Sequence, residues 1–338
     1  MKKQLITLIC LITAMLIVAS FATASEGIKV GKGTLRIGGN YQGFYAWYED
    51  DDRASEFNTK RARLLLFGDL VPDEISYFIQ ASGKSEPYLL DSKLTFKHLG
   101  HTHIGIGRFV PNYSLYMPKS TAKLNLVNYP LTTLKTAMWR QTGIQSMTKT
   151  SFADFTIGIF NGYQTADMSE TLVGNDWGDN NDAKDLLLRA DFKLAKGFKA
   201  GVFGWLGTAY NSELDEDFGA NRFGVNFEYD EGSLYIAGEY LMATTESAYT
   251  NQDTDSSGFF GHIGYRIGEN WELHGRYDHY DPNEDMNDDE ESWVTAGVNY
   301  KILDWNTMFY LNYVMKDDHL GANGSDSDND EVILMFQY

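Results

Sequence analysis

After residue 25 the apolar residues of this chain recur at every second position and never run on for long. No stretch approaches the roughly 18 uninterrupted apolar residues that a membrane-crossing helix requires. Leu35, Ile37, Gly39, Tyr41, Gly43, Tyr45 and Trp47 would share one face of a strand, with Arg36, Gly38, Asn40 and Gln42 on the other. Ala62, Leu64, Leu66 and Leu70 oppose Arg61, Arg63 and Asp69 in the next segment. The pattern returns with Leu186, Leu188, Ala190 and Phe192 against Asp185, Arg189 and Asp191. It returns again with Phe223, Val225, Phe227 and Tyr229 against Arg222, Asn226 and Glu228. A period of two marks strands with one apolar and one polar face.

Sixteen such segments are predicted: about 34–48, 57–70, 74–83, 90–99, 101–109, 136–147, 150–162, 183–195, 198–209, 219–230, 233–244, 256–267, 270–281, 290–302, 305–316 and 329–338. Their connections alternate. Short turns fall at Val71-Pro72-Asp73, Gly100, Thr148-Lys149, Lys196-Gly197, Glu231-Gly232, Gly268-Glu269 and Leu303-Asp304. Long polar loops fall at 49–56, 84–89, 110–135, 163–182, 210–218, 245–255, 282–289 and 317–328. A soluble β-sandwich or β-helix also alternates, but short turns at one end and long loops at the other belong to outer-membrane barrels. Tyr, Trp and Phe near many strand ends suit the two membrane interfaces. Val332, Leu334, Phe336 and Tyr338 alternate to a terminal aromatic, so Phe336 and Tyr338 are expected to form a C-terminal assembly signal. The fold class expected is all-β: a transmembrane, antiparallel, up-and-down β-barrel of about 16 strands.

The first residues read as an export signal. Lys2 and Lys3 precede an apolar core from Leu5 to Val18, and Ala22-Thr23-Ala24 offers small residues for cleavage after Ala24. The expected division is a signal peptide at 1–24 and a barrel at 25–338, placed in the bacterial outer membrane. Cys10, the single cysteine, would leave with the signal, so no disulfide or thiolate metal site is expected. The chain carries 28 Lys and Arg against 47 Asp and Glu, a formal charge of -19. A nucleic-acid partner needs a basic face, which this balance does not supply.

Several segments resemble the phosphate-selective porin O and P family. Phe57-Asn58-Thr59-Lys60-Arg61-Ala62-Arg63-Leu64 looks like its second-strand motif. Gly107-Arg108-Phe109-Val110-Pro111-Asn112-Tyr113-Ser114 is similar to its segment entering the third loop. Thr142-Gly143-Ile144-Gln145, Phe160-Asn161-Gly162 and Glu239-Tyr240-Leu241 fit later motifs in the same order. The resemblance implies a sixteen-stranded barrel, a homotrimer, a third loop folded into the lumen, and passage of anions such as phosphate.

The strand phases place Arg36, Lys93, Lys97, Arg189, Arg222, Arg266, Arg276 and Lys301 on the lumen wall with Arg61 and Arg63. Asp69, Asp185, Asp191, Glu228, Glu239, Glu272 and Asp278 share that face. The third loop, 110–135, holds Lys119, Lys123 and Lys135 and no carboxylate, accompanied by Tyr113, Tyr116 and Tyr129. Folded inward, these lysines would face the narrowest part of the pore, where Lys or Arg favours anions. The expected constriction is therefore Arg61, Arg63, Lys119, Lys123, Lys135, Tyr113 and Tyr116. Acid gathers instead in the loops: Glu49 to Asp52, Glu213 to Asp217, Asp281 to Glu291 and Asp326 to Glu331. Such a mouth repels small anions at low salt, which runs against a phosphate channel.

Other site signals are weak. Asp326, Asp328 and Asp330 begin like a calcium loop but lack its glycine, and His101 and His103 flank a turn. No G-x-S-x-G or H-E-x-x-H occurs, so neither an enzyme nor a metal or other cofactor is expected. The function expected is a passive outer-membrane diffusion channel for small hydrophilic solutes with a modest anion preference. The alternative is a structural or adhesive outer-membrane barrel whose acidic loops bind cations. The expected partners are outer-membrane lipid and lipopolysaccharide, small anions or other hydrophilic solutes, and further copies of the chain.

Overall fold

The structure, a computed structural model, describes residues 27–49, 53–84, 88–162, 179, 181–211, 216–246, 253–303, 307–318 and 330–338. The expected signal peptide, and most of the expected loops 163–182 and 317–328, lie outside these residues. The elements in chain order are β1 (Ile28–Val30), β2 (Gly33–Tyr48), β3 (Glu56–Val71), β4 (Ile75–Ser82), β5 (Tyr88–Leu99) and β6 (Thr102–Phe109). A short helix α1 (Leu131–Thr136) precedes β7 (Gln141–Lys149), β8 (Ala153–Phe160), β9 (Asp185–Ala195) and β10 (Phe198–Leu206). Then come β11 (Thr208–Asn211), β12 (Glu216–Glu231), β13 (Leu234–Glu246) and β14 (Asp253–Ile267). The chain closes with β15 (Trp271–Asp281), β16 (Glu291–Leu303), β17 (Thr307–Asp318) and β18 (Glu331–Gln337).

Each wall strand pairs antiparallel with the next, and β18 returns to β2 in register from Glu331↔Tyr48 to Gln337↔Gln42. The sheet is thereby a closed barrel of sixteen wall strands. β10 and β11 form one wall strand interrupted at Gly207, both pairing with β12. β1 is a small N-terminal addition that pairs back on β2. Closure matters because an open edge in lipid leaves backbone N–H and C=O groups without partners, at several kcal/mol each. Tyr338 completes the seam: its N–H donates to the Tyr41 carbonyl at 3.0 Å and its carbonyl accepts from Tyr41 N–H at 2.8 Å.

The alternation read from sequence is the inside–outside alternation of the wall. Ile37, Leu64, Ile157, Val202, Val225, Ile263 and Leu311 are exposed on the outer surface. Their neighbours Asn226, His262 and Asn312 are buried on the inner one. Exposed Trp47, Phe57 and Tyr277 lie toward the long-loop end, and Phe152, Tyr265 and Trp271 toward the short-turn end. These are the two aromatic levels of a membrane-spanning barrel. Among the described residues no helix is long and apolar enough to cross a membrane.

One boundary differs from expectation. The segment predicted as a strand at 136–147 begins pairing only at Gln141. Residues 131–136 are helical, and Ala137 to Arg140 are buried inside the barrel instead of joining the wall. The third connection is therefore 110–140, five residues longer than expected.

Candidate functional site

The connection 110–140 fills one side of the lumen. Its entrance is built at Gly107, which sits at φ +124°. A Cβ there would run into the Ser92 carbonyl, so glycine is required. The strand's alternation breaks at this point, and Arg108 and Phe109 are both buried.

A buried loop is admissible only if its backbone polar groups find partners. Here wall side chains supply them. Asn112 N–H donates to Gln145 Oε1 at 2.8 Å and Leu115 N–H to Glu239 Oε2 at 2.6 Å. Val127 N–H donates to Asn312 Oδ1 at 2.8 Å, and Leu131 N–H, opening α1, to Asp278 Oδ1 at 3.0 Å. Asn299 Nδ2 donates to the Asn125 carbonyl at 2.7 Å. Arg276 holds the Asn128 and Tyr129 carbonyls at 3.0 Å each while bonded to Asp278 at 2.7 Å. Arg189, clamped by Asp191, donates to the Ser114 carbonyl. Ser114 itself sits at φ +56°, a left-handed conformation that costs about 1–2 kcal/mol. The Arg189 and Leu115–Glu239 bonds on either side of it offset that cost. At its tip the loop touches the opposite wall, where Gln42 Nε2 donates to the Thr121 carbonyl at 3.1 Å and Gln337 Nε2 to that of Ala122 at 2.8 Å.

Aromatic packing adds to these bonds. Tyr113 is wholly buried, edge-on to Phe203 at 4.9 Å and to Trp205 at 6.0 Å. Tyr116 is buried edge-on to Phe260 at 5.3 Å. Its hydroxyl lies 2.6 Å from His262 Nδ1 and 2.9 Å from the Tyr235 hydroxyl. The chain of contacts continues from His262 Nε2 to His274 Nδ1 at 3.2 Å, from His274 to Glu272 at 3.4 Å, and from Glu272 to Lys301 at 2.5 Å. Burial pushes the phenols of Tyr113 and Tyr116 well above the ordinary tyrosine range. Both are therefore neutral.

The loop thus leans on β9 to β17 and leaves space beside β2 to β5. A cavity of about 510 Å³ lies there, between the wall residues Asn40, Arg63, Leu65, Phe78, Gln80 and Lys93 and the inner side of the loop. Lys119, Tyr129 and Arg140 reach it from the loop, together with Thr121, whose Oγ1 accepts from Arg63 Nη1 at 3.2 Å. Four cationic side chains line this cavity (Arg63, Lys93, Lys119 and Arg140) and one carboxylate, Asp91, which bonds Arg140 at 3.0 Å. A smaller cavity of about 210 Å³ lies at the other side of the loop, lined by Lys119, Lys123, Glu228, Asp230, Tyr235 and Arg266.

The expected constriction residues therefore separate into groups. Arg63 and Lys119 line the larger cavity, and Lys123 the smaller. Arg61 does not line either: it is buried, donates to Gln42 Oε1 at 2.9 Å and lies 5.7 Å from the centre of the Tyr129 ring. Tyr113 is withdrawn into packing, because its ring finds aromatic partners in the wall. Lys135 sits at the rim and pairs with Glu291 at 2.5 Å. Lys119 pairs with Glu228, so its charge is largely compensated.

On the wall, Lys97 pairs with Asp69 at 3.2 Å, and Arg266 with Asp230 at 2.7 Å and Glu272 at 3.4 Å. Arg222 is buried and donates to the Ala220 carbonyl at 3.2 Å, and Arg36 is exposed beside Gly27. Phe336 lies on the outer face, 5.2 Å from Phe309. Sequence reasoning missed Arg108, Arg140, Asp91, Phe78 and His262 as lumen groups; the alternation of β15 does put His274 on the polar face with Glu272, Arg276 and Asp278. Arg140 was hidden by the misplaced strand start, and Arg108 by the break at Gly107.

Comparison with known proteins agrees with this geometry. Residues 206–338 match the family model for the phosphate-selective porins O and P. No curated protein matches the chain in sequence. Among solved structures, the outer membrane channel DcaP of Acinetobacter baumannii has a TM-score of 0.70 at 12% identity, covering 93% of this chain and 99% of its own. An anion-selective porin from Comamonas acidovorans has a TM-score of 0.68 at 13% identity, covering 90% and 98%. OmpT of Vibrio cholerae, an outer membrane protein solved in a trimer form, has a TM-score of 0.63 at 14% identity, covering 90% and 99%. At these identities the likeness is one of fold.

Proposed function

We infer from the porin family match over residues 206–338 and the closed sixteen-strand barrel that this chain is an outer-membrane porin. Solutes cross it by diffusion down their gradients, and the barrel performs no chemistry on them. The observation that carries the reading is the lumen itself. A polar inner wall encloses a loop that occupies one side and leaves a cavity with four cationic groups and one carboxylate on the other. Coulomb interaction strengthens as water thins, so these groups act on passing ions more strongly than charges at the mouth. The passage prefers small anions only modestly, because most lumen charges are paired: Arg276 with Asp278, Lys301 with Glu272 and, among the four cavity cations themselves, Lys119 with Glu228 and Arg140 with Asp91. The family match supports phosphate as one such anion.

The remaining parts of the reading follow from the same frame. Residues 1–24 direct export and are removed. The aromatic levels sit at the two faces of the outer membrane, against lipid and lipopolysaccharide, with the long loops outward. The trimer form of OmpT supports a homotrimer here. Phe336 and Tyr338 serve barrel assembly. Planar-bilayer recording in a salt gradient tests the central claim: stable conductance with a reversal potential on the anion side is expected. Absence of any conductance from folded protein would leave a structural barrel in its place.

A further inference from the structure

We propose that the cavity between the β3–β5 wall and the loop 110–140 is a binding station for amphipathic organic anions, a carboxylate carried on a small apolar or aromatic body. The inference rests on the porin reading and deepens it by naming a solute class. Its volume, about 510 Å³, falls within the range of roughly 300–1,000 Å³ typical of small-molecule sites.

The cationic end of the station is Lys93. Its Nζ lies 4.1 Å from the centre of the Phe109 ring. Among the described residues no carboxylate stands within ion-pair distance of it, and Asp91, the acid of the lining, is engaged by Arg140 at 3.0 Å. An arriving carboxylate would meet an ammonium not already matched by an acid, with Arg63 on the same wall.

The apolar end is on the neighbouring strand. Phe78 of β4 stands directly across from Lys93 of β5 in the register of the sheet. Direct cross-strand neighbours place their Cβ atoms about 4.5–5.5 Å apart. Leu65, from β3, and Met117, from the loop, line the same cavity. A wall meant for water and hydrated ions has no use for Leu and Phe on its inner face, since the lumen side of such barrels is polar. An aromatic group beside an ammonium instead matches a solute with an apolar body and an anionic head. Inorganic phosphate, hydrated on all sides, gains from Lys93 but loses hydration against Phe78, Leu65 and Met117.

The test records single-channel chloride current through the folded barrel while benzoate, acetate or inorganic phosphate is added. Benzoate is expected to interrupt the current at concentrations about tenfold below those of acetate and phosphate, as burial of its ring predicts. Lys93→Gln should weaken benzoate block by about tenfold, the size of a lost charge-assisted contact. Phe78→Ser should shrink the advantage of benzoate over acetate. Equal block by all three probes, which needs no variant, overturns the proposal, as does a benzoate advantage that survives Phe78→Ser. A wild-type barrel that passes no current sinks the porin reading instead. Isothermal titration of benzoate and phosphate into the same barrel then decides the station separately: a benzoate signal reduced by Lys93→Gln upholds it, and no benzoate signal overturns it.

Discussion

The two sides of the lumen are built from the same alternating strands but are finished differently. Along β9 to β17 the inner wall is consumed by the loop, and its charges are spent on backbone groups or on each other. Asp278 takes Leu131 N–H and Arg276, Glu239 takes Leu115 N–H, and Glu228 takes Lys119. Along β2 to β5 the wall faces a cavity, and its Arg63, Phe78 and Lys93 remain at a surface that a solute can reach. The comparison teaches that a charge inside a barrel is not automatically a selectivity charge. It must also line the space that the loop leaves open.

The largest effect tests whether one side is occupied by the loop. Deleting residues 113–135 and bridging the ends removes the packing of Tyr113, Tyr116 and Leu131 and widens the passage. Conductance should rise several-fold and ion selectivity should fall, read by bilayer recording. Unchanged conductance would mean that the loop does not limit flow.

The next effect separates the two kinds of lumen charge. Reversing two cations that line the larger cavity, with Arg63→Glu and Lys93→Glu, should carry the reversal potential to the cation side. Lys119→Glu should do less to selectivity than its position in the loop would suggest, because Glu228 already compensates Lys119. It should instead weaken the fold, since two carboxylates would then share a site. Breaking one side of a partly buried pair costs about 3–5 kcal/mol at its upper, fully buried limit, and less here. The exchange Lys119→Glu with Glu228→Lys should restore heat resistance, measured by the temperature at which the folded band is lost in electrophoresis. A selectivity shift from Lys119→Glu as large as that from Arg63 and Lys93 would erase the distinction between the two sides.

This pattern was only partly legible in the sequence. The sixteen strands were visible because alternation is local and each strand must present an apolar face to lipid. The inward position of Arg276 or Glu272 followed from the same phase. The role of each charge was not visible. Lys119 meets Glu228 across 109 residues of sequence, and Tyr116 meets His262 across 146. No periodicity encodes such encounters. Tyr113 and Tyr116 are expected at the constriction because they accompany the loop lysines; aromatic partners in the wall take up Tyr113, while Tyr116, though packed on Phe260, lines the smaller cavity. Arg140 was lost because the apparent strand 136–147 conceals four buried loop residues ahead of Gln141. Phe78 was passed over because an aromatic residue on an inner face has no signature in a barrel whose outer face is full of them.

A smaller effect concerns the seam that joins the two sides, where β18 meets β2. Phe336 lies tilted against Phe309 at 5.2 Å, and Tyr338 exchanges two backbone bonds with Tyr41. Removing Tyr338 takes those bonds and one outer-face aromatic from the closing strand. Folded barrel in the outer membrane should fall while export continues, measured by heat-modifiable mobility of membrane fractions. Normal levels of the shortened chain would show that closure does not depend on its last residue.

The smallest effect concerns the acidic loop between β15 and β16, which lies outside both lumen regions. Asp285 and Asp288 are exposed to bulk water, with Asp289 half-buried beside them, and salt screens charge there within about 8 Å at physiological strength. Replacing all three by Asn should leave the reversal potential nearly unmoved at physiological salt and shift it further toward anions in dilute salt, where the acidic mouth otherwise repels them. The pH dependence has a fixed sign. Partial desolvation, then the neighbours Asp281 and Glu290, raise Asp289 above the ordinary aspartate range, so it takes up a proton at higher pH than an ordinary aspartate does. Wild-type protein in dilute salt should therefore become more anion-selective as pH falls toward the carboxylate range, and the triple variant should lose most of that response. Equal responses of wild type and variant would place the titrating charge elsewhere than in this loop, and the acidic mouth between β15 and β16 would then have no part in selectivity.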